Sequence, residues 1–190
     1  MATTIQDFFT RAAAKQFSRD FLFRVKQIDL VGNPGIIGFN GEDELVYAKT
    51  AALPGRNIEN KLVNYFGQEF QVPGRAIYQN AAGYSIDFYH DENCDIRNKL
   101  EAASRAVWAG VTDNEATESK GAYGMPGNES VIILSQIDKQ LREVQQIQLV
   151  GASIRDIGEI SYTIAEGTGE VLTYNVTFAY HFYRDFSHST

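Results

Sequence analysis

Cysteine is almost absent: Cys94 stands alone among 190 residues. A single thiol excludes an internal disulfide framework and any multi-cysteine zinc site, so stability must come from packing or from neighbouring subunits. Histidine is nearly as scarce, and His90, His181 and His188 carry no metal-ligand spacing. No run of roughly 20 apolar residues occurs, as a membrane span requires. Residues 1–20 alternate apolar and charged side chains and lack the continuous apolar run of a signal peptide. A soluble chain made in the cytoplasm, without a membrane partner, is expected. Positive charge is also in deficit, since 17 Lys and Arg against 24 Asp and Glu leave a net charge of −7. Nucleic-acid binders usually lean the other way, so adhesion to DNA is not expected.

Apolar and aromatic residues are plentiful, at 44% and 12%, enough for a sizeable core in a single domain spanning 1–190. Ile5, Phe8, Phe9 and Ala12 fall at helical spacing, which predicts a short helix or arm over 1–17. Alternation at Phe21, Phe23 and Val25 predicts a strand to about Val31, broken by Gly32-Asn33-Pro34-Gly35. A second strand is expected over Leu45–Ala52. Two similar turns follow, Leu53-Pro54-Gly55-Arg56 and Val72-Pro73-Gly74-Arg75. In each, Pro presets φ and Gly offers the positive φ of a type II turn. Between them Ile58, Leu62 and Phe66 are separated by polar residues, with Gly67-Gln68 as the reversal. Residues 53–77 are thus expected to form an extended, thinly hydrophobic hairpin or loop, with a surface too large to leave bare.

Tyr84, Ile86 and Phe88 alternate as a strand, and Asn93 is the expected N-cap of a helix over 93–109. Its apolar stripe is Ile96, Leu100, Ala103 and Val107, and Gly110 ends it. Residues 111–129 read as a surface loop. Strands are expected over Val131–Asp138, Val144–Gly151, Glu159–Ile164 and Val171–Arg184. In the last, Leu172, Tyr174, Val176, Phe178, Tyr180 and Phe182 form the buried face. Several antiparallel strands with a central helix and no βαβ rhythm predict a mainly β (α+β) fold, an antiparallel β-sandwich or half-barrel with flanking helices.

Chemistry is hard to place. Cys94 and His90 could form a nucleophile–base pair, yet no orienting partner is evident, and a lone cysteine at a helix start reads better as a packing residue. The glycines at 32–38 lack the Lys-Ser/Thr ending of a phosphate loop. Glu42-Asp43-Glu44 and Asp91-Glu92 lack calcium-loop spacing. Trp108 reads as helix-end packing. No catalytic, cofactor-binding or metal-binding residue, and no enzyme activity, is therefore expected.

Several segments, in order, resemble one family. Thr50-Ala51-Ala52-Leu53-Pro54-Gly55 and the polar hairpin to Val72-Pro73-Gly74-Arg75 resemble the corresponding region of the major tail tube proteins of T-even-like contractile-tailed bacteriophages. Phe88-Tyr89-His90-Asp91-Glu92, leading into the helix, resembles that family's strand, acidic turn and helix. Ile147-Gln148-Leu149-Val150-Gly151, Ile157-Gly158-Glu159-Ile160 and Tyr174-Asn175-Val176-Thr177-Phe178 resemble its closing strands. The similarity runs from about Phe17 to Tyr183. The glycine-rich stretch 32–44 is longer than the family pattern, and the tail 184–190 extends beyond it.

The resemblance implies a hexameric ring with a continuous inner β-barrel, rings stacked into a hollow conduit, and a place in a virion tail. It implies as partners further copies of the chain together with sheath, baseplate and tape measure proteins, while DNA passes the lumen without specific binding. Leu53, Pro54, Gly55, Arg56, Asn57, Tyr65, Phe66, Val72, Pro73, Gly74 and Arg75 are the expected contacts between subunits or rings. A baseplate tube initiator and a secretion-type tube subunit are the near alternatives; a monomeric β-sandwich binding module, with aromatics clustered in its loops, is a more distant one.

Overall fold

A computed structural model of the chain describes residue 5 and residues 20–30, 33–37, 48–78, 83–107, 129–162 and 169–186. The N-terminal helix expected over 1–17 apart from residue 5, Trp108, nearly all of the loop 111–129 and the tail after residue 186 lie outside the described residues. Within them stand eleven strands and one helix, in the order β1 Phe23–Leu30, β2 Asn33–Ile37, β3 Ala48–Ala51, β4 Arg56–Tyr65, β5 Gln68–Tyr78, β6 Tyr84–Tyr89, α1 Asp95–Val107, β7 Val131–Ile137, β8 Glu143–Val150, β9 Ser153–Ile157, β10 Thr173–Ala179 and β11 Phe182–Phe186.

Period-two alternation creates two sheets that each need cover on one face. In β10, Tyr174, Val176 and Phe178 are buried between outward Thr173, Asn175 and Thr177. Directly opposite in β6 stand Phe88, Ile86 and Tyr84, so six large side chains share one face. Ile132 and Leu134 of β7 with Ile147 and Leu149 of β8 supply the facing layer. In β1 the buried positions pass from Val25 to Ile28 across a register shift near Gln27, a bulge that changes which residue parity points inward. The strands order as β11-β8-β7-β1-β2 in one sheet and β3-β6-β10-β9 in the other, all antiparallel, and neither closes into a barrel among the described residues. Buried Ile96, Leu100 and Ala103 lie along one side of α1, which packs on β2 and β9, one edge of each sheet. Each fully buried Phe or Ile of this core contributes about 1.5–3 kcal/mol.

The expected strand Val171–Arg184 is two strands in different sheets. Its break falls at Tyr180-His181, opposite a break between β8 and β9 at Gly151-Ala152. Gly151 takes φ +70°, and the His181 amide donates to the Val150 carbonyl at 2.9 Å. A two-stranded ribbon therefore bends from one sheet into the other, giving the half-open character of the sandwich. Leu172 precedes β10 and is half-buried, whereas Tyr174, Val176, Phe178 and Tyr180 are buried.

Other expectations fail for local reasons. No strand covers 159–162; β9 lies earlier, and pairing with β10 ends at Val176↔Ile157. There Gly158 meets Asn175 so closely that a Cβ would fall 2.8 Å from the Asn175 carbonyl oxygen. Asn93 is not the helix cap. Asp91 takes that role, its Oδ2 accepting from the Asp95 amide at 2.8 Å, while Cys94 takes φ +58°. β1 does end at Leu30, close to the expected break, but Asn33-Pro34-Gly35 is itself the start of β2, an edge strand where the missing Pro34 N–H costs no ladder bond.

Candidate assembly surface: a projecting hairpin

Strands β4 and β5 form a sheet of their own, and among the described residues the hairpin packs substantially only on itself. The ten residues of β4, at ~3.4 Å each, make a ribbon about 30 Å long. Its root is fixed to the sandwich. The buried Tyr84 hydroxyl donates to the Ala52 carbonyl at 2.6 Å, and burial, with a smaller contribution from Tyr180, pushes its pKa well above the usual phenol range. On the other strand the Tyr78 ring stands edge-on to Tyr183 at 5.4 Å. Beyond these anchors the side chains of Ile58, Leu62, Val63, Tyr65, Phe66, Phe70 and Val72 are exposed. A lone two-stranded ribbon is marginal in water at best.

The distal ribbon has two unlike faces. Val63 pairs with Phe70, Lys61 with Val72 and Tyr65 with Gln68, so one face carries two aliphatic and two aromatic side chains. Asn60, Leu62, Asn64, Glu69, Gln71 and Pro73 occupy the other, and Asn60 Nδ2 donates to Gln71 Oε1 at 3.5 Å. This is the alternation of a half-buried strand on an element with nothing over it among the described residues.

The structure distributes the expected contact residues along this arm. Leu53, Pro54 and Gly55 form the link from β3, Arg56 and Asn57 open β4, Tyr65 closes it, and Val72, Pro73, Gly74 and Arg75 lie inside β5. Neither Pro-Gly pair makes a type II turn, because neither Gly55 nor Gly74 has a positive φ. Gly74 instead sits in a bulge opposite Glu59, where a Cβ would lie 2.7 Å from the Glu59 carbonyl oxygen. Arg75 Nε bridges to Glu59 Oε2 at 2.7 Å, an exposed pair of little energetic weight. The reversal is Phe66-Gly67, one residue earlier than expected, with φ +50° and +76°, as a type I′ turn requires. Sequence reasoning missed Val63 and Phe70 as partners on one face. Their signal is the alternation of Lys61-Leu62-Val63-Asn64-Tyr65, which is legible only if Pro73-Gly74 is read as part of a strand.

The nucleophile–base pair considered from sequence is close in space but incomplete. Cys94 Sγ lies 3.5 Å from His90 Nε2, and the Tyr162 hydroxyl lies 3.0 Å from the same nitrogen. His90 Nδ1 is buried without a partner among the described residues, so nothing there orients the imidazole as a base. Among the described residues no group of three His, Cys, Asp or Glu side chains is placed to hold a metal ion.

No protein-family model and no curated protein matches this chain. Solved structures do. A chain in the sixfold-symmetrised cryo-electron microscopy structure of the anti-feeding prophage baseplate superposes with a TM-score of 0.60 at 10% identity, covering 93% of this chain and 99% of that one. A chain of the same prophage's tube-terminating cap gives 0.57 at 11% identity, covering 91% and 93%. One from the sheath/tube terminator of PVC, an extracellular contractile injection system in its extended state, gives 0.52 at 10%, covering 91% and 99%. The chain thus shares its fold with components of contractile injection systems; at these identities the likeness establishes fold alone.

Proposed function

We propose that this chain is the structural subunit of a contractile-tail tube of the T-even-like phage type, acting as one domain without catalysis of its own. Hexameric rings stack into a hollow conduit inside a sheath, in a virion tail. The observation that carries this reading is the hairpin, an arm about 30 Å long whose apolar face is exposed and finds no cover among the described residues. Such an arm makes sense on a subunit whose neighbours complete it. The fold supports the reading, being shared with chains of a baseplate, a tube cap and a tube terminator. The sheet β3-β6-β10-β9 also has two edges, and pairing them between copies would give a continuous inner barrel with no strand edge left bare. Sheath, baseplate and tape measure proteins are the further partners, and DNA passes through the lumen unheld.

A second reading, a tube-end component such as a baseplate initiator or terminator, is favoured by those same three neighbours. A secretion-type tube subunit shares the same assembly logic. Negative-stain electron microscopy of the purified chain separates them. Hollow tubes of variable length support the tube subunit, and single rings that do not elongate support the end component. A monomer at every concentration would overturn both.

A further inference from the structure

Phe66 combines two costs. Its side chain is 88% exposed at the hairpin tip, and its backbone holds φ +50°, a conformation unfavourable for a bulky residue and suited to Asn or Gly. Asn-Gly would make this turn better than Phe66-Gly67 does. A residue that is poor for the turn and poor for solvent points to a role outside its own chain.

A receptor of matching size exists at the other end of the arm. Between the start of β1, the end of β3 and β7 lies a half-open pocket of about 160 Å³, walled by Leu22, Phe23, Ala51, Ala52, Leu53 and Leu134 together with the polar Asp20, Arg24, Ser135 and Gln136. An apolar cavity of about 150 Å³ holds a benzene ring. Leu53 is exposed beside it and continues its apolar surface outward. The pocket adjoins the root of the hairpin, three residues before β4 begins. Paired ribbon cannot double back over its length of about 30 Å, so the tip of a given copy does not reach that copy's own pocket.

We propose that the pocket is the socket for Phe66 of a second copy of this chain. The inference rests on the reading of the chain as a self-assembling subunit and names the contact. Because tip and socket are different surfaces, the contact is head-to-tail and leaves each bound copy with a free tip or a free socket. Copies so joined close into rings or continue as a stack.

Two proteins test it, both in a Cys94→Ser background, one carrying Gln68→Cys, beside the tip so that Phe66 is kept, and the other Leu53→Cys. Mixed and treated with a short bis-maleimide, they can join only between copies. The proposal expects the mixed crosslink in assembled material and none when Lys139→Cys replaces Leu53→Cys. Assemblies that form without the mixed crosslink overturn the socket and leave the proposed function standing. Failure of the wild-type chain to assemble overturns both. Phe66→Asn supplies the second arm. It should keep or raise the melting temperature of the monomer while increasing the concentration needed for assembly by about 10- to 100-fold; unchanged assembly contradicts the proposal.

Discussion

The imidazole of His181 occupies the space into which any side chain on Gly151 would project, and Gly151 itself holds φ +70°. The two residues face each other where the β8–β9 and β10–β11 ribbon passes from one sheet to the other, with His181 N–H donating to the adjoining Val150 carbonyl. Gly151→Ala should therefore displace the ring and strain the backbone together, lowering stability by about 1–3 kcal/mol. Gly67→Ala is the control, because Gly67 shares the positive φ but has open space around its Cα. Urea unfolding of both variants checks this: the first should lose clearly more stability than the second.

Phe178 is fully buried and faces Tyr84 across the β6–β10 ladder. Phe178→Ala should cost about 3–5 kcal/mol, the cost of a large core truncation with its cavity. A melting temperature unchanged within error would place this face of β10 outside the core.

Side-chain alternation made β6 and β10 legible in the sequence, because a period of two sustained over five or more residues fits a half-buried strand and no helical face. It could not show where an alternating run changes sheets. Residues 172–182 alternate without interruption, so only tertiary structure reveals the bend at Tyr180-His181. Prolines misled in the opposite direction. Pro34 and Pro73 both read as strand breakers, yet one sits in an edge strand and the other beside a bulge, places where a missing N–H is tolerated. The arm 53–77 was legible as an excursion, but its amphipathic faces were hidden by reading Val72-Pro73-Gly74-Arg75 as its terminator.

Glu143 gathers Arg24, Lys26 and Ser135 on the outer side of β1, β7 and β8, and its side chain is only 14% exposed. Burial would raise its pKa, but hydrogen bonds from Lys26 and Arg24 outweigh that and hold the carboxyl below its usual range. A lowered folded pKa means the stabilisation is fully present above the unfolded value of about 4.3 and is lost as pH falls through the folded value. Glu143→Gln should thus destabilise by about 1–3 kcal/mol near pH 7. The gap to wild type should shrink below about pH 4. A gap that is constant from pH 7 to pH 3 would assign the effect to packing alone.

The assembled protein should pass DNA without gripping it. The net charge of −7 per chain motivates this, and DNA binding to assemblies at low salt, where phosphate attraction is strongest, checks it. Salt-sensitive binding inside the tube at about micromolar affinity or tighter would replace the passive conduit with a DNA-holding role.

The central claim, that the hairpin is completed by neighbouring copies, is tested most directly by amide hydrogen exchange across residues 57–71 in the monomer and in the assembled protein. The account predicts fast exchange in the monomer, where the ribbon stands alone, and strong protection on assembly, with the core strands β6 and β10 protected in both states. Exchange across 57–71 that is equally fast in monomer and assembly would contradict it.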